Sequence, residues 1–227
     1  MTGTEYEIVR SKRKTIGIHV YRDGRVVVRA PQRTPLAEIK RLVSLKEDWI
    51  VRKRAELAAQ PAAPLPPRYV DGEQHLFLGQ SYPLRVVVAK RPGVELTGGK
   101  LLLRLPDGND TAHKEKLLDS WYRQQARAIF EERLALVHPT AAPFGIPYPP
   151  VHVRLMKTRW GSCSSRGNIN LNLRLIQTPL SCIDYVIMHE LAHFKVPNHS
   201  AAYYKLLDAL MPDWRARRQR LQRVPVL

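Results

Sequence analysis

Alternating apolar and polar positions near the N-terminus predict a β-hairpin. Residues 15–21 (TIGIHVY) and 25–29 (RVVVR) are rich in β-branched side chains, which favour strands. Between them, the Arg-Asp-Gly sequence at 22–24 is typical of a hairpin turn, because glycine accepts the positive φ angles that such turns require. The chain is therefore expected to begin with two antiparallel strands.

At about residues 35–58 the apolar residues follow the spacing of an α-helix instead, which predicts a single helix there. Pro35 would be its first helical residue, where a missing N–H carries no cost. The apolar residues of this stretch recur so as to define one helix face; they are Leu36, Ile39, Leu42, Val43, Trp49 and Ile50. The four prolines of residues 60–68 exclude a helix or a central strand there and predict a stiff linker or a surface strap.

Strand-like and helix-like patterns share the rest of the chain. Strands are predicted at residues 75–78, 84–88, 101–105, 151–156 and 168–173. Asp110 or Thr111 can cap a long helix that ends near Val137, and two or three more helices follow the last strand. This order predicts an α+β fold, with a β-rich region at 1–105 that contains one helix and a second domain at 106–227.

Composition places the chain among globular proteins. Hydrophobic residues make up 44% and charged residues 25% of its 227 residues, which argues against a disordered or fibrous protein. No apolar run reaches the length of about eighteen residues that a membrane span needs, and the charged N-terminus lacks the apolar stretch of a signal peptide. Cys163 and Cys182 are too few for a disulfide scaffold. We therefore expect a cytoplasmic protein without a membrane partner.

Net charge gives a second indication about partners. Lysine and arginine number 37 against 20 aspartate and glutamate residues, a formal net charge of +17. Such an excess attracts anions and makes nucleic acid a candidate partner. A solvated basic surface that aids solubility is an equally good interpretation, so charge alone does not identify a function.

The segment that indicates a metal-dependent catalytic site is His-Glu-Leu-Ala-His at residues 189–193. On an α-helix, residues four apart lie on one face, so His189 and His193 can bind one metal ion. Imidazole nitrogens are typical zinc ligands. Glu190 lies one position further round the helix, where it can act as general base on a metal-bound water and pass the proton to a leaving amine.

A third metal ligand is expected, because a catalytic zinc normally has three protein ligands and one position for water. No glutamate follows Glu190, and the only downstream carboxylates are Asp208 and Asp213. His199 comes six residues after the second motif histidine, and Pro197 between them ends the helix and turns the chain. His199 is therefore the predicted third ligand of one zinc per chain, although nickel, cobalt or manganese can replace zinc in a purified sample.

These residues resemble the signatures of a known family. The motif with its later histidine, and the sequences MPDW at 211–214 and RWGSCSSRGNINLNLRL at 159–175, are similar to those of YgjP-like metal-dependent hydrolases, a group of zincin-type metallopeptidases. The resemblance implies a zincin-like C-terminal domain. It also implies a catalytic glutamate and three histidine ligands, which fall on Glu190, His189, His193 and His199. Metzincins share this ligand spacing but have a glycine where Val196 stands, so the likeness to them is weaker.

Candidate substrate-binding residues surround the motif. Residues 168–173 alternate polar and apolar side chains, as a half-buried antiparallel edge strand does, and in zincins such a strand pairs with the substrate backbone. The arginine of the preceding turn can hold a carboxylate or orient a carbonyl, with a structural salt bridge as the alternative. A tyrosine hydroxyl near the metal can stabilise an oxyanion. The candidates are Arg159, Asn170, Asn172, Tyr203 and Tyr204.

The sequence thus predicts a zinc-dependent hydrolase, with a peptide or protein as the favoured substrate and a zinc-bound water, activated by Glu190, as the nucleophile. The alternative is a basic nucleic-acid-binding protein, for example one associated with DNA, whose metal site is structural or vestigial. A structural zinc usually has four protein ligands, often cysteines, whereas this motif offers three histidines, which favours catalysis. Hydrolysis of another amide or an ester would use the same chemistry.

Overall fold

The computed structural model describes residues 4–21, 23–59, 67–164 and 166–224. The fold is α+β, as the sequence predicts, and the chain divides into two compact units, residues 1–62 and 63–227. The predicted linker lies largely outside the described residues, as does Arg22 of the predicted turn. The sequence-based boundary at residue 105 falls inside the second unit, and the assignment of 1–105 and 106–227 to separate domains stays a prediction.

A three-stranded sheet forms one layer of the first unit. Its strands are β1 (Glu7–Ser11), β2 (Gly17–Val20) and β3 (Val26–Pro31). β2 and β3 form the predicted antiparallel hairpin, and Gly24 in its turn has a φ of +81°. β3 is central because β1 pairs with its other side in parallel, a pairing that the local pattern does not reveal.

Two helices cover this sheet where the sequence predicts one. They are α1 (Leu36–Leu45) and α2 (Glu47–Ala58). The prediction of a single helix is wrong at Lys46, whose φ of −108° and ψ of 9° interrupt the helix. Val43 before the break and Ile50 after it both join the buried cluster formed with β3, so both helices contribute apolar side chains to one core.

Among the described residues, two sheets belong to the second unit. The first has the order β4-β5-β7-β6 and the second the order β8-β10-β9. Their strands are β4 (Gln74–Phe77), β5 (Gln80–Val88), β6 (Gly93–Thr97), β7 (Lys100–Leu105), β8 (Val151–Arg154), β9 (Gly161–Cys163) and β10 (Ile169–Asn172). The expectation that β10 is an edge strand is wrong: it pairs with β8 in parallel and with β9 in antiparallel fashion. β9, which the sequence analysis treats as a turn, is an edge of this sheet.

Among the described residues, the second unit has four α-helices. They are α3 (Thr111–Ala141), α4 (Leu180–Ala192), α5 (Ala201–Leu210) and α6 (Trp214–Gln222). Asp110 caps α3, since its side chain accepts a hydrogen bond from the N–H of His113. Pro139 lies within the last turn of α3, so the helix runs past the predicted end. None of the helices in the described residues has the length and apolar content required to cross a membrane.

α4 is the central helix of the second unit. Ten of its thirteen residues are buried, as expected for a helix that is apolar nearly all round. Its start is held by the β4–β5 turn, where a Cβ on Gly79 would lie only 2.6 Å from Cγ of Pro179. This close approach requires a glycine, and the φ of +81° at Gly79 favours one as well.

A buried ion-pair network ties α4 to two other helices. Asp184 in α4 is only 6% exposed and accepts two hydrogen bonds, of 2.7 and 2.8 Å, from Arg133 of α3. Arg217 of α6 donates a third, of 3.3 Å. Because removal of one partner from such a pair leaves an uncompensated buried charge, the network holds the three helices in one arrangement.

Candidate metal centre

The two histidines of the His-Glu-Leu-Ala-His motif lie at the C-terminal end of α4. His189 and Glu190 are helical, and His193 is the C-cap residue with φ −67° and ψ −18°. Since residues four apart share a helix face, the imidazole rings of His189 and His193 lie side by side, with centroids 5.0 Å apart.

The chain then turns and brings a third histidine to the same face. The N–H of Val196 still bonds to the carbonyl of Ala192, and α5 begins after Pro197 and His199. Nε2 of His199 consequently lies 3.1 Å from Nε2 of His189. One ligand atom from each of the three histidines lies within 4.8 Å of the others, so the structure brings together the three predicted ligands.

The hydrogen-bond partners of two rings direct their Nε2 atoms towards this cluster. Nδ1 of His193 lies 3.1 Å from the carbonyl oxygen of Val196. Nδ1 of His189 lies 2.7 Å from the hydroxyl of Tyr203. A carbonyl can only accept a hydrogen bond, so Nδ1 of His193 carries the proton and its Nε2 has the free lone pair.

The donor set fits a divalent transition metal. Burial and the neighbouring histidines lower the pKa of His189 to about 3, and burial likewise lowers the pKa of His199. Both rings are therefore neutral at pH 7, which is the form that binds metal. Nε2 of His199 and Nε2 of His189 lie 3.1 Å apart, so a single cation can bind both atoms.

Glu190 lies beside the histidine cluster as a buried carboxyl. It is 4% exposed, and burial raises its pKa to about 7, against the opposing effects of a hydrogen bond from the backbone N–H of Cys163 and of the nearby Arg159 charge. A carboxyl with a pKa near neutrality is well suited to take up and release a proton at pH 7.

A glycine makes room for this carboxyl. A Cβ on Gly161 in β9 would lie 2.5 Å from Oε1 of Glu190 and 2.9 Å from its Cδ, closer than real contacts allow. No local sequence pattern marks Gly161 as part of the site, although it lies within the RWGSC sequence that carries the family resemblance.

We predict that Gly161→Ala lowers hydrolytic activity about 10²-fold, because displacement of a reacting group by about 1 Å can have an effect of that size. Metal content should not change, since the three atoms nearest to an added Cβ all belong to Glu190 and not to a histidine. Gly93→Ala is the matched control, because nothing lies within 4 Å of a Cβ there. Cleavage assays on both variants test this, and full activity in Gly161→Ala would contradict the assigned position of Glu190.

An open cleft gives access to the histidines and to Glu190. Its volume is about 770 Å³. On one side it is lined by residues of β9 and the adjoining loops, and on the other by the end of α4 and the turn after it. Arg159, Ser162, Cys163, Phe194 and Pro197 are among the lining residues.

The free edge of β9 faces this cleft. In the β9–β10 ladder, the carbonyl of Trp160 accepts from the N–H of Asn172, and the N–H of Ser164 donates to Asn168. Alternation in an antiparallel ladder turns the backbone groups of Gly161 and Cys163 away from β10. The hydrogen bond from Cys163 to Glu190 agrees with this direction.

The two asparagines named by the sequence analysis belong to the central strand. Asn172 is fully buried, and its amide group donates to the carbonyls of Met156 and Arg159. These bonds hold the loop before β9 and leave the side chain no access to a substrate. Asn170 is half-buried and bonds to Ser162 at 3.4 Å, and it does not line the cleft.

The other candidate side chains differ in their access to the cleft. Arg159 is exposed and lines it. Tyr203 is fully buried with its hydroxyl on His189. Tyr204 stacks on Trp214, with ring centroids 5.5 Å apart, and does not line the cleft.

The aspartates considered as alternative ligands lie elsewhere in hydrogen-bond networks. Asp208 accepts from the indole N–H of Trp214 and from Arg215. Asp213 pairs with Arg217 at 2.8 Å. Among the described residues, the group with metal-ligand spacing contains neither aspartate.

Comparison with known proteins agrees with this chemistry. The sequence model of the YgjP-like family, described as a metallopeptidase domain, matches residues 14–224. A search of curated proteins finds no match. Because the family model covers nearly the whole chain, the protein belongs to the YgjP-like metallopeptidase family and is a metal-dependent hydrolase by family.

Proposed function

We propose that the chain is a zinc-dependent peptidase in which His189, His193 and His199 hold the metal and Glu190 is the general base. The observation that carries the proposal is the convergence of three histidine donor atoms within 4.8 Å, beside a buried carboxyl at the base of an open cleft. Three ligands leave a position free for reacting groups, as catalytic zinc sites do.

The metal ion and Glu190 have different roles in the proposed reaction. A bound divalent cation supplies Lewis acidity, which polarises a carbonyl group and lowers the pKa of water. Glu190 accepts a proton from the attacking water and later delivers it to the leaving nitrogen. The backbone N–H of Cys163 and the Arg159 charge both favour the ionised form of this carboxyl, because each lowers its pKa.

A peptide is the substrate that the cleft fits best. The outward backbone groups of Gly161 can hydrogen-bond to an extended chain, which would add a strand to the β8-β10-β9 sheet. Arg159 lines the same cleft, where its guanidinium can bind a substrate carboxylate or a carbonyl oxygen. Pairing with the substrate backbone, which the sequence predicts for residues 168–173, is therefore proposed for β9 and not for β10.

Zinc is the proposed metal because imidazole nitrogens are typical zinc ligands. Nickel or another divalent ion would bind the same donors, since affinity follows metal type and availability. Magnesium is disfavoured, because it prefers oxygen ligands in octahedral geometry.

Nucleic-acid binding receives no specific support from the basic C-terminal helix. Arg215 pairs with Asp208, and Arg217 pairs with Asp184 and Asp213. These ion pairs engage two of the four arginines of α6, so binding to nucleic acid stays a prediction from net charge.

Metal removal tests the proposed function. After treatment with a strong chelator, the protein should lose cleavage of an unstructured peptide library, and about one equivalent of zinc per chain should restore it. Magnesium added in the same way should not restore activity, for the reason given above. Undiminished cleavage by protein that elemental analysis shows to be metal-free would contradict the proposal.

A further inference from the structure

The ring of Tyr203 packs against the imidazole rings of all three proposed metal ligands. Its ring stacks on His193 with centroids 4.7 Å apart, and meets the edges of His199 at 4.8 Å and His189 at 5.4 Å. It is fully buried. Its hydroxyl lies 2.7 Å from Nδ1 of His189 and 3.1 Å from the backbone carbonyl oxygen of the same residue.

One arrangement of the protons satisfies both of these contacts as hydrogen bonds. The backbone carbonyl can only accept, so the Tyr203 hydroxyl donates its hydrogen to that oxygen. In this arrangement the hydroxyl oxygen is the acceptor for Nδ1 of His189, which carries a proton. Nε2 of His189 is left with its lone pair, and this is the atom that faces His199 at 3.1 Å.

The corresponding partner of His193 is a main-chain group. Nδ1 of His193 bonds to the carbonyl of Val196, which no side-chain substitution can remove. His189 differs because its partner is the Tyr203 side chain, and this makes the effect of the partner measurable.

We infer that Tyr203 is a positioning residue that fixes the ring orientation and the tautomer of His189, and thereby raises metal affinity. This inference rests on the proposed metal centre. It replaces the expectation that Tyr203 stabilises an oxyanion, since the hydroxyl already contacts both Nδ1 and the backbone carbonyl oxygen of His189. Tyr203 acts on the metal only through His189.

Zinc affinity of Tyr203→Phe tests this inference. The variant keeps the ring and its contacts but removes the hydroxyl, and we expect it to bind zinc about 10–100-fold more weakly, as loss of an outer-shell partner typically does. Competition with a chromophoric chelator measures the dissociation constants. Tyr185→Phe is the matched control: its ring is buried and 5.9 Å from that of His189, and among the described residues its hydroxyl makes no hydrogen bond to that histidine. It should bind zinc within about threefold of wild type.

A second measurement needs no variant. Long-range ¹H–¹⁵N correlation spectra of the metal-free wild type should show His189 protonated at Nδ1 and unprotonated at Nε2. Protonation at Nε2 alone would overturn the inference, as would unchanged zinc affinity in a folded Tyr203→Phe. A wild type that binds no zinc would instead contradict the proposed metal centre itself.

Discussion

Glu190→Gln is expected to slow hydrolysis by two to four orders of magnitude while leaving metal binding intact. The amide has the same size as the carboxyl, so it fits beside Gly161 and can still accept the hydrogen bond from Cys163. It cannot take a proton from water, and general-base catalysis by a positioned side chain typically contributes about 10²–10⁴-fold to the rate. We therefore expect kcat to fall by that factor, with zinc content per chain unchanged. Steady-state cleavage of a peptide substrate and elemental analysis of the same samples measure both quantities.

A surface substitution of the same type provides the control. Glu132 is exposed on α3, and Glu132→Gln should cleave at the wild-type rate. If Glu190→Gln with its metal bound cleaved as fast as wild type, Glu190 would not be the base.

The pH dependence of the wild type gives an independent check of the same group. A base works only in its ionised form, so kcat/KM should fall as the pH drops through the pKa of Glu190. Burial raises that pKa to about 7 in the protein alone, and a bound cation next to the carboxylate lowers it. The acid limb is therefore expected at or below about pH 7, and it should be absent from any residual activity of Glu190→Gln.

The sequence predicts those parts of the site that depend on local geometry. The spacing of His189 and His193 is a property of one helix, and Pro197 signals the turn that brings in His199. The hairpin of β2 and β3 is local as well, because its turn sequence lies between its strands. Such features need no knowledge of the rest of the fold.

The features that the sequence does not reveal depend on contacts between distant segments. Alternation in residues 168–173 predicts a strand, but its central place depends on pairing with β8 and β9. Asn172 therefore holds a loop instead of facing a substrate. Gly161 is important because Glu190, from another element, packs against it, and no local pattern marks such a contact.

The same distinction applies to Tyr203 and Tyr204. Helical spacing from His199 indicates that one of the two tyrosines faces the site, but it does not say which. The structure places Tyr203 inside, against the back of the histidine cluster, and Tyr204 on Trp214. The face that packs against α4 decides this, and it is set by the tertiary arrangement of α4, α5 and α6.

His199→Ala is expected to remove most of the bound metal. Loss of one of three donor nitrogens leaves two, so zinc affinity should fall by more than the roughly 10–100-fold that changes in outer-shell partners cause, and activity should fall with it. The fold should be nearly unaffected, because His199 is exposed and surface substitutions usually change stability by less than about 0.5 kcal/mol. Elemental analysis of wild type and variant, purified side by side without added metal, gives the zinc content per chain.

The outcome of that comparison separates the main interpretations of the site. His152→Ala is the matched control, since His152 is an exposed histidine on β8 outside the cluster, and it should keep its zinc. Equal zinc in wild type and His199→Ala would mean that His199 is not a ligand, and the observed approach of its Nε2 to His189 would need another cause. About one zinc per chain in wild type, lost only in His199→Ala, would establish a three-histidine site. A wild type that cannot be loaded even with excess zinc would contradict the peptidase mechanism, and the basic surface would then become the first feature to test, by nucleic-acid binding at low salt.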